Sequence, residues 1–307
     1  MKALRADRPT APPDAELGNA LQDLARAAVA ALHDELILEP KPGLVSPIDS
    51  GSHRDMDAGT LMRSLFALRH GYGRLAALGA EGASFERLAN AGRAAEVRML
   101  RATGGINTHR GAIFCLGLLC ASGGALLAQQ VPIHPAALRE MLLRRWGPEL
   151  AARAEVSTPA PDGAPAPPSH GRAVALAHGL RSANAEAAAG FPVLFETTLP
   201  ALQAALARGW TARQARVQAL FETMAVLADT NLAHRGGLSG LRFAKGAARE
   251  WLQAGGAGRD DAFDAARALH REFVARQLSP GGAADLLAAA CWVQRVGDPA
   301  PGAGVPA

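Results

Sequence analysis

From Gly111 to Ala128 the chain carries no charged residue. A run of that length reaches the lower limit for a membrane-spanning helix, so lipid or other helices must enclose it. Gly117, Gly123, Gly124, Cys115 and Cys120 lie inside it, and no aromatic belt flanks it. Those features predict a central helix buried in protein rather than a span, and hence no membrane partner.

The rest of the sequence supplies helices to enclose it. Leu17, Leu21, Leu24, Ala28, Leu32 and Leu36 recur at helical spacing. Leu61, Leu65, Leu68, Tyr72 and Leu75 mark the next helix, with Asp57 as its N-cap and Gly79 and Gly82 at its end. Further helices are expected over about 85–101, 135–152, 171–189, 192–208, 211–229, up to Gln253, 260–277 and 283–296. No window shows period-two alternation of β-branched residues, and nothing repeats at solenoid periods. The expected class is therefore all-α. Scarce aromatics and abundant alanine agree with closely packed helices.

The expected organisation is one globular domain over residues 15–296, between a disordered leader (1–14) and tail (297–307). A flexible insert rich in proline and alanine is expected at 157–169. The leader has prolines and charges but no apolar segment of a secretory signal. Cys115, Cys120 and Cys291 lack metal-ligand spacing and look like small buried hydrophobes of a reducing, cytoplasmic compartment. A net charge of +4 with dispersed basic residues does not call for a nucleic-acid partner and suits anionic small molecules.

Three polar segments interrupt the helices. The first runs from Glu39 through Pro40-Lys41-Pro42-Gly43 to Gly51-Ser52-His53-Arg54-Asp55-Met56-Asp57. A loop that long is usually functional or disordered. Lysine stands only at positions 2, 41 and 245, so the ammonium of Lys41, mounted between two prolines, is conspicuous. Asp55 and Asp57 have the spacing to share one Mg²⁺. The second segment, Thr103 to Gly111 with Asn107, His109 and Arg110, exposes glycine N–H groups at the start of the uncharged helix, an anion cradle in outline. Glu96, two helical turns earlier, is either a surface acid or an inward ligand. The third, Asp229 to Gly237, offers Asp229, Asn231, His234 and Arg235. In Ser279-Pro280-Gly281-Gly282, Ser279 reads as an N-cap and Pro280 as the first helical residue. His33, His70, His178 and His270 have no partner at metal spacing and read as structural or surface residues.

Together these segments resemble the triphosphoribosyl-dephospho-CoA synthases. The residues that carry the resemblance are Glu35, Pro40 to Val45, Gly51 to Asp57, Glu96, Asn107 to Phe114, Glu186 with Gly190-Phe191-Pro192, and Ser279 to Leu287. The match runs in order from about residue 30 to 296. After Gly43-Leu44-Val45 the citrate lyase branch of the family usually has aspartate. This chain has Ser46, then Pro47 and Ser50-Gly51-Ser52-His53, which is more like the malonate decarboxylase branch. Before Glu186 the family commonly has glycine and arginine, whereas this chain reads Ser182-Ala183-Asn184-Ala185, so only Glu186 itself carries over there.

The resemblance implies an all-helical enzyme. It would transfer the triphosphoribosyl group of ATP to the 2′-hydroxyl of 3′-dephospho-CoA and release adenine. The product would pass on to an acyl-carrier subunit. By analogy with glycoside chemistry, a carboxylate base would activate the hydroxyl in one inverting displacement. On this reading Asp55 and Asp57 would hold Mg²⁺, and Lys41, Arg54 and Arg110 the triphosphate. Gly43, His53, Asn107, His109, Asn231, Arg235, Ser279 and Gly281 would complete the substrate site, with Glu96 as third ligand or base and Asp229 as alternative base. The same acids would also suit a Mg²⁺-dependent ribosyl-bond hydrolase, and the helical frame a non-catalytic carrier of the CoA derivative.

Overall fold

The computed structural model describes residues 14–155 and 170–297. The expected insert and nearly all of the leader and tail lie outside them. Among the described residues there are twelve α-helices and no strand, as expected of an all-α chain.

The uncharged run forms α4 (Arg110–Ala128), packed against α1 (Asp14–Leu36), α2 (Ala58–Ala80), α3 (Phe85–Ala102), α5 (Pro135–Glu155) and α12 (Gly281–Val296). It is the one helix among the described residues long and apolar enough to cross a membrane, and 78% of its apolar window is buried within the protein. Its glycines explain the close fit. A Cβ on Gly124 would stand 2.0 Å from the carbonyl oxygen of Ala76, and one on Gly79 would stand 1.9 Å from that of Ala121. The two backbones therefore touch, and Gly79, expected to end α2, lies inside it.

One apolar cluster runs from Leu21 to Val293. Three buried indoles tie elements together as well as filling space. Trp292 Nε1 donates to Leu24 O (3.0 Å), Trp146 Nε1 to Ala83 O (3.0 Å), and Trp251 Nε1 to Ala262 O (3.1 Å). The three cysteines are free and buried, as their spacing suggested.

Four boundaries differ from the sequence reading. The helix expected over 171–189 is two, α6 (His170–His178) and α7 (Ala183–Ala188), because Gly179 turns left-handed (φ 62°) and Ser182 caps a new start. The helix expected over 192–208 opens as a π-helical turn (Leu194–Thr198) before α8 (Leu199–Ala207). The third polar segment is not a loop. It follows α9 (Ala212–Val226), and Asp229 caps α10 (Thr230–Gln253), whose path breaks at Gly237 (φ 61°, ψ −167°). Finally, Pro280 takes the N-cap position of α12, so Ser279 lies one residue outside the helix and caps nothing.

The loop between α1 and α2 is pinned across the molecule. Glu39 pairs with Arg213 of α9 and with Arg267 of α11 (Ala262–Ala275), the latter at 2.8 Å. Ser52 Oγ donates to Leu278 O at 2.6 Å. Gly43 is the contact point: a Cβ there would stand 2.1 Å from Leu278 O, and its φ of +68° suits glycine.

Candidate active site

The pinned loop meets the C-terminal half through one hydrogen-bonded chain. Arg235 Nη2 donates to His53 Nδ1 (3.1 Å), which leaves the proton on Nε2, 3.0 Å from Ser279 Oγ. Arg235 Nη1 also donates to Ser52 O (3.0 Å). Burial and the Arg235 charge depress the His53 pKa, despite Asp55 at 3.6 Å, so the ring is neutral. His53, Asp55, Arg235 and Ser279 are thus brought together. Arg54 and Asn231 are exposed.

Asp229 holds two helices at once. Its Oδ1 accepts from Asn231 N (2.8 Å) and Leu232 N (3.3 Å), capping α10, while Oδ2 accepts from Ala283 N (3.1 Å) in the first turn of α12. The two glycines before Ala283 make the approach possible. A Cβ on Gly281 would lie 2.7 Å from Asn231 Nδ2, and one on Gly282 3.1 Å from the Asp229 carboxyl. Burial raises the Asp229 pKa, and the backbone donors oppose the rise.

Two cavities of about 230 Å³ each adjoin at Phe114, which lines both. The first is lined mainly by apolar side chains, together with Arg93, Arg110, Arg153 and Glu96. Glu96 is paired with Arg110. The second is bordered by three carboxylates, Glu186, Asp229 and Asp285, with Arg181 and Cys115. Glu186 Oε1 accepts from Val193 N (2.8 Å) and its Oε2 from Arg181 (3.2 Å). Asp285, one turn into α12, projects toward Gly111, where a Cβ would stand only 1.9 Å from its Oδ2, and it accepts from Ala112 N. Burial, with Glu35 and Asp229 nearby, holds its pKa well above the carboxylate range.

Other expected ligands also make contacts within the scaffold. Lys41 is 2% exposed and donates to Glu35 Oε1 and Glu35 O, both at 2.6 Å, so its ammonium faces inward. Asp57 Oδ1 accepts from Thr60 N (2.7 Å), the cap expected of it. Asn107 Oδ1 accepts from Arg110 N (3.3 Å) at the start of α4. His109 is buried, with Nδ1 2.6 Å from Ser64 Oγ and Nε2 without a partner. Burial and the Lys41 charge bring its pKa down to about 4.

Among the described residues no group of three or more His, Cys, Asp or Glu is arranged to hold a metal ion. Asp285 lies within the Ser279 to Leu287 segment that carries the family resemblance. What marks it is a glycine 174 positions earlier in the chain, which sequence spacing cannot connect to it.

Comparison with known proteins places the chain in a family. A family profile described as ATP:dephospho-CoA triphosphoribosyl transferase matches residues 21–302. A protein of Azotobacter vinelandii named probable 2-(5''-triphosphoribosyl)-3'-dephosphocoenzyme-A synthase is 39% identical over 277 residues, 89% of this chain and 90% of its own. A protein of Pectobacterium atrosepticum named 2-(5''-triphosphoribosyl)-3'-dephosphocoenzyme-A synthase is 38% identical over 274 residues, 87% of each chain. No solved structure matches.

Proposed function

Because the chain belongs to the ATP:dephospho-CoA triphosphoribosyl transferase family, we propose that its adjoining cavities are the two substrate subsites of that transfer. The ribose 2′-hydroxyl of 3′-dephospho-CoA attacks the anomeric carbon of ATP, and adenine leaves with the triphosphate intact. The observation that carries this reading is the pair of cavities meeting at Phe114, one edged by arginines and the other by carboxylates. Arginine suits a retained polyphosphate, which must be held and not cleaved. Carboxylates suit a proton transfer and an oxocarbenium-like transition state.

Among the expected roles, Arg110 fits the triphosphate best, since it lines the first cavity and its partner Glu96 is only part-buried. Arg54, Asn107 and Asn231 remain candidates from exposed positions, and Arg235, Ser279 and Gly281 support His53 and the start of α12. Mg²⁺ is part of the proposal as a companion of the triphosphate. Magnesium is commonly bound through one or two carboxylates plus substrate phosphates. Exposed Asp55, beside His53, fits that demand, and Asp57 fits it less well because Thr60 already occupies Oδ1. When bound, the ion would neutralise phosphate charge. The serine after Gly-Leu-Val supports the malonate decarboxylase branch, and hence a product destined for that enzyme's acyl-carrier subunit. The buried thiols suit a cytoplasmic location.

The test is direct. Purified protein with ATP, Mg²⁺ and 3′-dephospho-CoA is expected to release free adenine without inorganic phosphate or ADP. Phosphate release would rule the transfer out, and adenine release without dephospho-CoA would make the protein a hydrolase.

A further inference from the structure

We infer that Asp285 is the general base of the transfer, the carboxylate that takes the proton of the attacking 2′-hydroxyl. The inference rests on the reading of the cavities given above.

Four carboxylates border the two cavities, and three are committed elsewhere. Glu96 is paired with Arg110. Glu186 accepts from a backbone N–H and from Arg181. Asp229 has both oxygens on the starts of α10 and α12. A carboxylate tied to a cation or to several N–H donors is a weak base, because its charged form is already stabilised. Asp285 accepts one backbone donor, Ala112, and among the described residues no arginine or lysine pairs with it.

Its position is built. Gly111 leaves the first turn of α4 bare where the carboxyl sits, since any Cβ there would overlap Oδ2. The result is a half-buried acid on the wall of the second cavity, next to Phe114, where the first cavity begins. The groups facing it are Glu35 from α1, Tyr72 from α2, Cys115 from α4 and Asp229 from the start of α10, with Arg181 and Glu186 on the same cavity. Glu35 is itself paired with Lys41, and burial without a cation of its own among the described residues makes the Asp285 anion a strong base for a carboxylate.

The step balances as follows. The 2′-oxygen bonds to the anomeric carbon and its proton passes to Asp285. The bond from that carbon to adenine N9 breaks, and the electron pair leaves with adenine. Adenine is protonated from water, and Asp285 returns its proton to water.

Asp285→Asn is expected to lower kcat for adenine release by about 10²–10⁴-fold, with KM for ATP and dephospho-CoA within about threefold and the unfolding profile retained. In the unsubstituted enzyme kcat/KM rises with pH through a limb that Asp285→Asn abolishes. A rate within tenfold of the unsubstituted enzyme, a limb that persists, or a falling limb that disappears would each overturn the assignment. Should the asparagine variant not fold, Gly111→Ala displaces the carboxylate without removing it, and an unchanged rate there would equally overturn it. An unsubstituted enzyme that releases no adenine would instead sink the transfer reading.

Discussion

Lys41 Nζ lies 2.6 Å from Glu35 Oε1 and 2.6 Å from the carbonyl oxygen of the same residue. One ammonium thus neutralises a buried carboxylate and satisfies a carbonyl in the last turn of α1. Burial lowers the Lys41 pKa, while the Glu35 charge works to keep it protonated.

Breaking that pair strands a buried charge. Lys41→Met is expected to cost about 3–5 kcal/mol in denaturant unfolding, and adding Glu35→Gln to recover part of the loss. A rise in the KM for ATP at unchanged stability would show that the lysine serves the ligand instead.

Asp229 is expected to matter more for stability than for chemistry. Asp229→Ala removes two helix caps and should cost roughly 2–4 kcal/mol, at about 1–2 kcal/mol per cap. Asp229→Asn keeps one acceptor and should cost about 1 kcal/mol while still releasing adenine. Loss of adenine release from a folded Asp229→Asn enzyme would return Asp229 to the role of base.

His109 gives a pH dependence of definite sign. Its folded pKa is about 4 against an unfolded value of 6.5. The unfolded chain therefore binds the extra proton between those values, and stability falls as pH drops through that window. The full effect is about 3 kcal/mol at about 1.4 kcal/mol per unit. Unfolding free energies of the unsubstituted protein and His109→Gln should diverge below pH 6.5 and run parallel above it. Parallel curves throughout would contradict the burial of a neutral ring.

Arg110 is expected to act on ATP and little on the fold. Its pair with Glu96 is part-exposed, and such pairs contribute about 0–1 kcal/mol. Arg110→Ala should raise the KM for ATP by tenfold or more and shift the unfolding free energy by less than about 1 kcal/mol. An unchanged KM would move the triphosphate away from the first cavity.

The helical class and most element boundaries were legible in the sequence because they depend on local spacing. The uncharged run could only be a core helix or a span, and Asp57 was recognisable as a cap from its place before an apolar repeat. The conspicuous lysine is paired with a buried acid, Glu35, which spacing alone does not announce. Rarity shows that a compact cation is needed, but not whether a ligand or a buried acid needs it. Asp229, likewise, looked like loop chemistry until α12 arrived beside it. The Asp285 site could not be read, since it is made by residues 111 and 285 meeting in space.

The hydrogen bonds from Ser52 and His53 to residues 278 and 279 span 226 positions of sequence. A chain still emerging from the ribosome therefore has the loop but not the surface that fixes it, and lacks α12 with its carboxylate. Truncation before residue 278 is therefore expected to leave that loop without the contacts that pin it.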